Sequence, residues 1–329
     1  MTDQTAVLHE LTNTELQPII KELFTRRNRL RVRIALSTII IVPITLFVGY
    51  FLVRFLREWG LTIALATASF CWYAINAEHI AAYKARFKAE VMPRLLKITD
   101  PNRTYRADDG IGQSEFTTSG LYLREIDRYN CEDYFTGKIG ATAFRFSEVN
   151  AEYKIPLNDG DGLNYDTWHT IFKGLFFVAD FNKHFQGKTY VLPDNIEGLG
   201  GIGRWFQEMG GKMESRDGEL IKLEDPEFEQ IFAVYTTDPV EARYILSTSL
   251  MQRLSAFRKQ VNEPIAISFV NSNIYIAIPS KRDYFEPPPL WWGSGILSVE
   301  MLKEHMRDIK LAEAVVQELN LNLRIWTKQ

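Results

Sequence analysis

Residues 34–53 form a run of twenty without a charge, IALSTIIIVPITLFVGYFLV. After a short break, Arg54-Phe-Leu-Arg57-Glu58, seventeen more uncharged residues follow at 61–77, or nineteen with Trp59 and Gly60. A hydrocarbon layer about 30 Å thick takes about 20 helical residues at a rise of about 1.5 Å each. Without water in that layer, backbone groups must bond within their own segment, so each run reads as a helix. The break is too short for a domain. The pair is therefore expected to be a transmembrane helical hairpin, with spans at 34–53 and 59–77. A secretory signal fits poorly, because the first run is too long for an h-region and a second follows at once. A buried hairpin of a soluble protein competes, and the lack of charge over both runs opposes it.

Lys and Arg near the spans set the expected orientation. Lys21, Arg26, Arg27, Arg29, Arg31 and Arg33 precede the first, and Lys84, Arg86, Lys88, Arg94 and Lys97 follow the second. The connection holds only Arg54 and Arg57. Eleven against two places both termini, and the soluble part, in the cytoplasm. Cys71 and Cys131 offer no disulfide framework, which fits a reducing compartment. Residues 1–100 carry 13 Lys and Arg against 8 Asp and Glu, whereas 101–329 carry 25 against 33. The basic half thus lies beside the membrane, where anionic lipid attracts each cation. The acidic half opposes general phosphate binding, so nucleic acid is not an expected partner. Arg26, Arg27, Arg29, Arg31 and Arg33 are expected to form a lipid-facing basic stretch.

Around the spans, Leu16, Ile20, Leu23, Arg27 by its stem, and Leu30 recur at helical spacing. Residues 1–33 are expected to carry a juxtamembrane helix. Ile80, Tyr83, Phe87 and Val91 continue the period beyond the second span until Pro93, and a helical stalk is expected over 78–97. Residues 98–113 are turn-rich and read as a linker. Residues 114–329 are expected to be one α+β domain, its sheet mainly antiparallel and packed with helices. A short helix follows Ser114. Residues 141–153 alternate as a half-buried strand, 134–137 precede it as another, and 170–185 and 188–192 are further strands. The loop Asn158-Asp-Gly-Asp-Gly162 resembles a calcium loop in composition but lacks its twelfth-position Glu, and reads as a turn. Gly198, Gly200 and Gly203 formally match G-x-G-x-x-G, but lie too far from a strand for a dinucleotide turn. Gly200, Gly201 and Gly203 remain a weak candidate anion nest.

Further on, Asp225-Pro226 and Asp238-Pro239 read as helix caps followed by Pro at the first helical position, with Glu241 completing a capping box. Ile231–Tyr235 is a strand. Leu250, Leu254 and Phe257 form the inner face of a helix. Residues 264–278 are the clearest hairpin, turning at Asn271-Ser-Asn273. Pro287-Pro-Pro289-Leu-Trp291-Trp292 reads as a rigid flap, with Trp291 and Trp292 as candidate partner-binding residues or headgroup contacts. Leu302, Met306, Ile309 and Val316 mark a last amphipathic helix, expected to cover a sheet face.

Several strings together resemble a known family. They are Glu132-Asp133 with Gly137, Phe146-Ser-Glu148, Phe172-Lys-Gly-Leu-Phe-Phe177, Leu223-Glu-Asp-Pro-Glu-Phe228 and Val240-Glu-Ala-Arg-Tyr-Ile-Leu246. They are similar to a bacterial family of two-span membrane proteins bearing a domain of unknown function, sometimes labelled galanin in genomes. The resemblance covers the spans and most of 114–280, departing at Gln230, Ala233 and Thr248-Ser249. It implies a bacterial inner-membrane location and no particular reaction.

Two functional classes follow. The first is a membrane-anchored cytoplasmic interaction or scaffold module, held in the bilayer by two spans, with a membrane protein as a further partner and oligomers compatible. His9, His79, His169, His184 and His305 are scattered without metal-ligand spacing, and no P-loop, G-x-S-x-G or H-E-x-x-H occurs. No metal or cofactor is therefore expected. The second class is a membrane-tethered hydrolase with Glu148, Asp180 and Glu241 as carboxylates and His169 or His184 as base.

Overall fold

The computed structural model describes residues 17–100, 102–140, 142–158, 164–181, 184–193, 218–288, 290–291 and 299–318. The chain divides into two compact units, Met1–Leu95 with Phe285–Glu304, and Leu96–Tyr284 with His305–Gln329.

The first unit is built on two long helices, α1 (Gln17–Leu56) and α2 (Glu58–Thr99). Only Arg57 separates them, with a left-handed φ of 49°. The Gly60 N–H donates to the Arg57 carbonyl at 3.2 Å. A Cβ on Gly60 would lie 2.4 Å from the backbone of Leu52 and Val53, so only glycine lets the second helix start this close to the first. Side-chain pairs then run antiparallel along the two helices. Gly49 faces Ala64, the Trp72 indole N–H donates to the Thr38 hydroxyl at 3.1 Å, and the Asn76 amide donates to the Ser37 hydroxyl at 3.2 Å. Arg86 pairs with Glu22 at 2.8 Å. Both helices are long and apolar enough to cross a membrane.

Helix α2 runs past Pro93, where the apolar period stops, and covers the stalk expected over 78–97. Proline removes one backbone hydrogen bond. Val91, Met92, Leu95 and Leu96 around it are buried, and the helix continues to Thr99.

The second unit contains a nine-stranded sheet whose strand pairings are all antiparallel. The strands are β1 (Thr104–Arg106), β2 (Arg128–Ile139), β3 (Thr142–Asn158), β4 (Asn164–Asp180), β5 (Thr189–Pro193), β6 (Glu219–Ile221), β7 (Phe232–Thr236), β8 (Ala266–Val270) and β9 (Asn273–Pro279). Their spatial order is β1-β2-β3-β4-β9-β8-β5-β7-β6. The stretch expected as a linker, 98–113, instead supplies edge strand β1 and the buried Ile111. A three-residue edge strand with exposed ends leaves little alternation to read in the sequence.

Alternation assigns the two sheet faces. One face carries Val149, Ala151, Tyr153, Phe172, Phe176, Val178, Tyr190, Leu192, Ala266, Tyr275 and Ala277 in one core. A short helix, α3 (Gln113–Thr118), delivers Phe116 into it. The Phe116 ring stacks on Tyr122 with centroids 5.0 Å apart and lies 4.9 Å from Phe176. The buried Ser147 and Ser268 hydroxyls anchor this covering segment, the first accepting from Ile111 N–H at 3.0 Å and the second donating to Ser119 C=O at 2.7 Å.

The opposite face carries Phe146, Leu175, Phe177, Val191, Phe232, Val234, Ile267, Phe269, Ile274, Ile276 and Ile278, all buried. The one-turn helix α4 (Pro226–Glu229) brings Phe228 to 5.1 Å from Phe232. Helix α6 (Thr248–Val261) packs against α4 and buries Leu250, Leu254 and Phe257, as their spacing predicts. Between them lies α5 (Pro239–Ile245). Asp225 and Asp238 cap α4 and α5, each carboxylate accepting two backbone N–H bonds. The β8–β9 turn has left-handed Asn271 and Ser272, at φ 51° and 60°, the pattern of a two-residue hairpin turn. The last helix, α7 (Val299–Glu318), buries its apolar stripe.

A Gly60→Ala substitution should force α1 and α2 apart at their connection. We expect a loss of about 2 kcal/mol, read as a lower midpoint when the full chain is unfolded by titrating SDS into mild detergent. Gly49→Ala, whose Cβ would meet only ordinary contacts at 3.5 Å, is the control and should change little.

Candidate functional site

Two places gather charge: a carboxylate cluster in the sheet unit, and a basic groove on the helix pair.

The cluster is centred on Glu148 of β3. In the β2–β3 register Glu132 stands directly opposite Glu148. A bulge follows between Glu132 and Phe135, where Asp133 takes a left-handed φ of 58° and is fully buried. The Tyr105 hydroxyl donates to the Asp133 carboxylate, and the Asp133 N–H bonds Ala107 C=O at 2.9 Å. On β4, Gly174 has φ 148°, and a Cβ there would lie 2.1 Å from the Ile278 carbonyl. This close approach lets the chain leaving β9 fold back, with Ser280 N–H bonding Lys173 C=O at 2.9 Å. Asp283 then pairs with the Lys173 ammonium at 2.5 Å, and the Tyr284 N–H donates to Glu148 Oε2 at 2.8 Å.

Glu148 is only 5% exposed. Burial pushes its carboxyl up to about 8, the Tyr284 N–H opposes this, and the charges of Asp133, Asp283 and Glu132 add to the rise. Lys173 is held above the ordinary lysine value, chiefly by its hydrogen bond to Asp283. Glu148 therefore serves as a closed latch for the segment after β9.

The other residues considered for hydrolysis are not brought to Glu148. Asp180 lies opposite Asn273 at the far end of β4, five residues from Leu175, the partner of Glu148. At about 3.4 Å per residue that is roughly 17 Å along the strand. Glu241 does not close a capping box. Its carboxylate accepts the N–H groups of Gln186 (2.9 Å) and Gly187, tying α5 to the turn before β5. The box fails because Asp238 N–H is already bonded to the Thr236 hydroxyl at 3.1 Å. His169 stacks on Tyr153 at 5.2 Å, and His184 is exposed. Among the described residues, no group of three or more His, Cys, Asp or Glu could hold a metal ion. Gly200, Gly201 and Gly203, the weak anion nest, lie outside the described residues, as do Trp292 and His9.

The basic residues of α1 separate into two sets, a division that sequence reasoning missed. Arg27 is fully buried, and its Nε donates to the Leu290 carbonyl at 3.2 Å. Arg31 donates to the same carbonyl. These two clamp the proline-rich flap and do not join an outward-facing stretch. Lys84 and Lys88 of α2 fix the same flap through Glu286, at 2.8 and 3.0 Å. The adjoining Trp291 is 61% exposed. The signal for the split is the i, i+4 spacing of Arg27 and Arg31, which puts both on the Leu23–Leu30–Ile34 side.

Arg26, Arg29 and Arg33 are exposed. Arg26 pairs with Glu22 at 3.0 Å. Arg29 and Arg33 border two adjoining grooves. One, of about 720 Å³, is polar, with Lys21, Arg26, Arg29, Arg33 and His79 in its wall. The other, of about 940 Å³, is apolar, lined by Phe24, Val32, Leu36, Ile40, Ile41 and Ile75 beside the same two arginines.

A domain-family model described as a protein of unknown function, DUF3137, matches residues 170–321. The matched stretch runs from within β4 through α7 and is a little under half of the chain. No curated protein and no solved structure matches the chain.

Because the Glu148 carboxyl is raised on folding, its contribution is fully present below the ordinary glutamate value and is lost as pH rises through about 8. Glu148→Gln keeps an acceptor for Tyr284 N–H and removes the titration. Thermal unfolding of the full chain in mild detergent should show the variant matching the parent near about pH 5 and exceeding it by several degrees near about pH 9.

Proposed function

We propose that this chain is a membrane-anchored interaction module. On this reading α1 and α2 cross the bacterial inner membrane as a hairpin, with both termini and the sheet unit on the cytoplasmic side. The observation that carries the reading is apolar side chains left bare along the two helices. Ile39 is 66% exposed, Phe47 67%, Phe55 84% and Phe70 71%. Within their most apolar windows only 11% of α1 and 17% of α2 is buried. A core helix of a soluble protein is mostly covered, whereas side chains facing lipid are bare.

The polar links between the helices support the same reading. Trp72–Thr38 and Asn76–Ser37 pair off groups that hydrocarbon would leave unsatisfied. The excess of Lys and Arg outside the 54–58 connection supports the orientation. Arg27 and Arg31 bind the flap within about two helical turns of Ile34. That position suits Trp291 to the headgroup layer, where tryptophan is enriched, or to a membrane protein beside it. The hydrolase reading is less well supported, because Asp180 lies far along β4 from Glu148 and the Glu241 carboxylate is engaged by the Gln186 and Gly187 N–H groups.

Single cysteines in a Cys71→Ser/Cys131→Ser background test the arrangement. Glu58→Cys should react with a membrane-impermeant maleimide added outside intact spheroplasts, and Asp225→Cys should react only after lysis. The reverse pattern would invert the orientation, and labelling of both sites before lysis would end the two-span reading.

A further inference from the structure

We propose that Arg29 and Arg33, with the groove beside them, form a binding site for an anionic phospholipid: headgroup phosphate on the arginines, one acyl chain along Val32, Leu36 and Ile40. The proposal rests on the membrane-anchored reading and adds a defined ligand to it.

Three observations converge. First, Arg29 and Arg33 are one helical turn apart on one face, where like charges repel. Among the described residues neither has an ion-pair partner, whereas Arg26 has Glu22, and Arg27 and Arg31 have Leu290. Second, both belong to the walls of the polar and the apolar groove, so they mark the seam between them. Third, the seam falls where the uncharged run begins, at Ile34. On the polar side, Lys21, Arg26, Arg29 and Arg33 face a single carboxylate, Glu22, which Arg26 and Arg86 already engage. On the apolar side, Val32 (58% exposed), Leu36 (54%) and Ile40 (59%) follow one another at i, i+4, a stripe parallel to a lipid tail.

A cationic recess opening onto an apolar trough complements a molecule with a phosphate at one end and a hydrocarbon chain at the other. Nucleic acid would use only the first half, and a neutral lipid or an apolar helix only the second. The arginine fork bonds two phosphate oxygens at once, and its stem lies along apolar surface.

The full chain, reconstituted into nanodiscs of equal parts phosphatidylglycerol and phosphatidylcholine and released into mild detergent, is examined for retained lipid by native mass spectrometry. Phosphatidylglycerol should be retained roughly tenfold over phosphatidylcholine. Arg29→Gln/Arg33→Gln should bring the ratio to near parity. Arg54→Gln/Arg57→Gln, removing equal charge at the other end of the helices, should leave it unchanged. Leu36→Trp, which fills the trough without altering charge, should lower retention several-fold at unchanged helix content. Equal retention of the two lipids, equal loss in the Arg54/Arg57 variant, a bound polypeptide in place of lipid, or displacement by equimolar soluble glycerol phosphate would each overturn the site. Flotation of the same protein with vesicles after a high-salt wash separates the two readings. A chain that floats without lipid preference refutes the site alone, and one that does not float refutes the anchoring itself.

Discussion

Backbone polar groups in a stretch without charged side chains have to bond to one another, and this constraint shapes the helix pair more than any single contact. Over 34–53 and 59–77 the backbone is helical, so apart from Pro43, which has no N–H, and the first turn of α2, its groups bond within their own helix and the side chains are free to be mostly apolar. On the membrane-anchored reading, two such helices have to be held together without a hydrophobic drive between them. The chain does this with close approach at Gly49 and Gly60 and with the Trp72–Thr38 and Asn76–Ser37 hydrogen bonds. The same arrangement leaves the outer faces bare, and places Arg29 and Arg33, without an ion-pair partner among the described residues, at the edge of the apolar run.

The sheet unit meets the same requirement in a second way. Its central strands are buried on both faces, so β5 and β8 have every residue covered. Ladder hydrogen bonds join them to their neighbours, and of the polar groups buried in this unit Ser147, Ser268, Asp133 and Glu148 each fix a segment lying over or beside the sheet. Glu148 is the costly member. Its burial favours the protonated acid, so its hold on Tyr284 is coupled to pH.

Much of this was legible in the sequence wherever a single local rule acts. The uncharged runs, the Asp-Pro caps at 225 and 238, the β8–β9 hairpin and the Leu250–Leu254–Phe257 stripe are each decided by residues within a turn or two of one another. The readings that changed depend on distant partners. Nothing near Arg27 and Arg31 discloses that they bind the Leu290 carbonyl some 260 residues away. Glu241 has the spacing of a capping box, but Thr236 occupies the donor it needs, and the carboxylate turns to Gln186 and Gly187. Strand β1 is too short to show a period. Of the site candidates, Glu148 was named for its type alone, as a hydrolase carboxylate, and its environment, the bulge at Asp133 and the fold-back permitted by Gly174, is a property of the register.

What the chain offers functionally is then a pair of long helices with bare apolar faces, a basic seam at one end of it, and a sheet unit, part of which is similar to a domain family of unknown function. The most direct test of the account is extraction of native membranes with alkaline carbonate, which strips peripheral proteins and leaves spanning ones. The account predicts that the full chain stays in the membrane pellet. Its appearance in the supernatant would contradict the account, because helices whose apolar faces span the bilayer are not released by charge reversal at their ends.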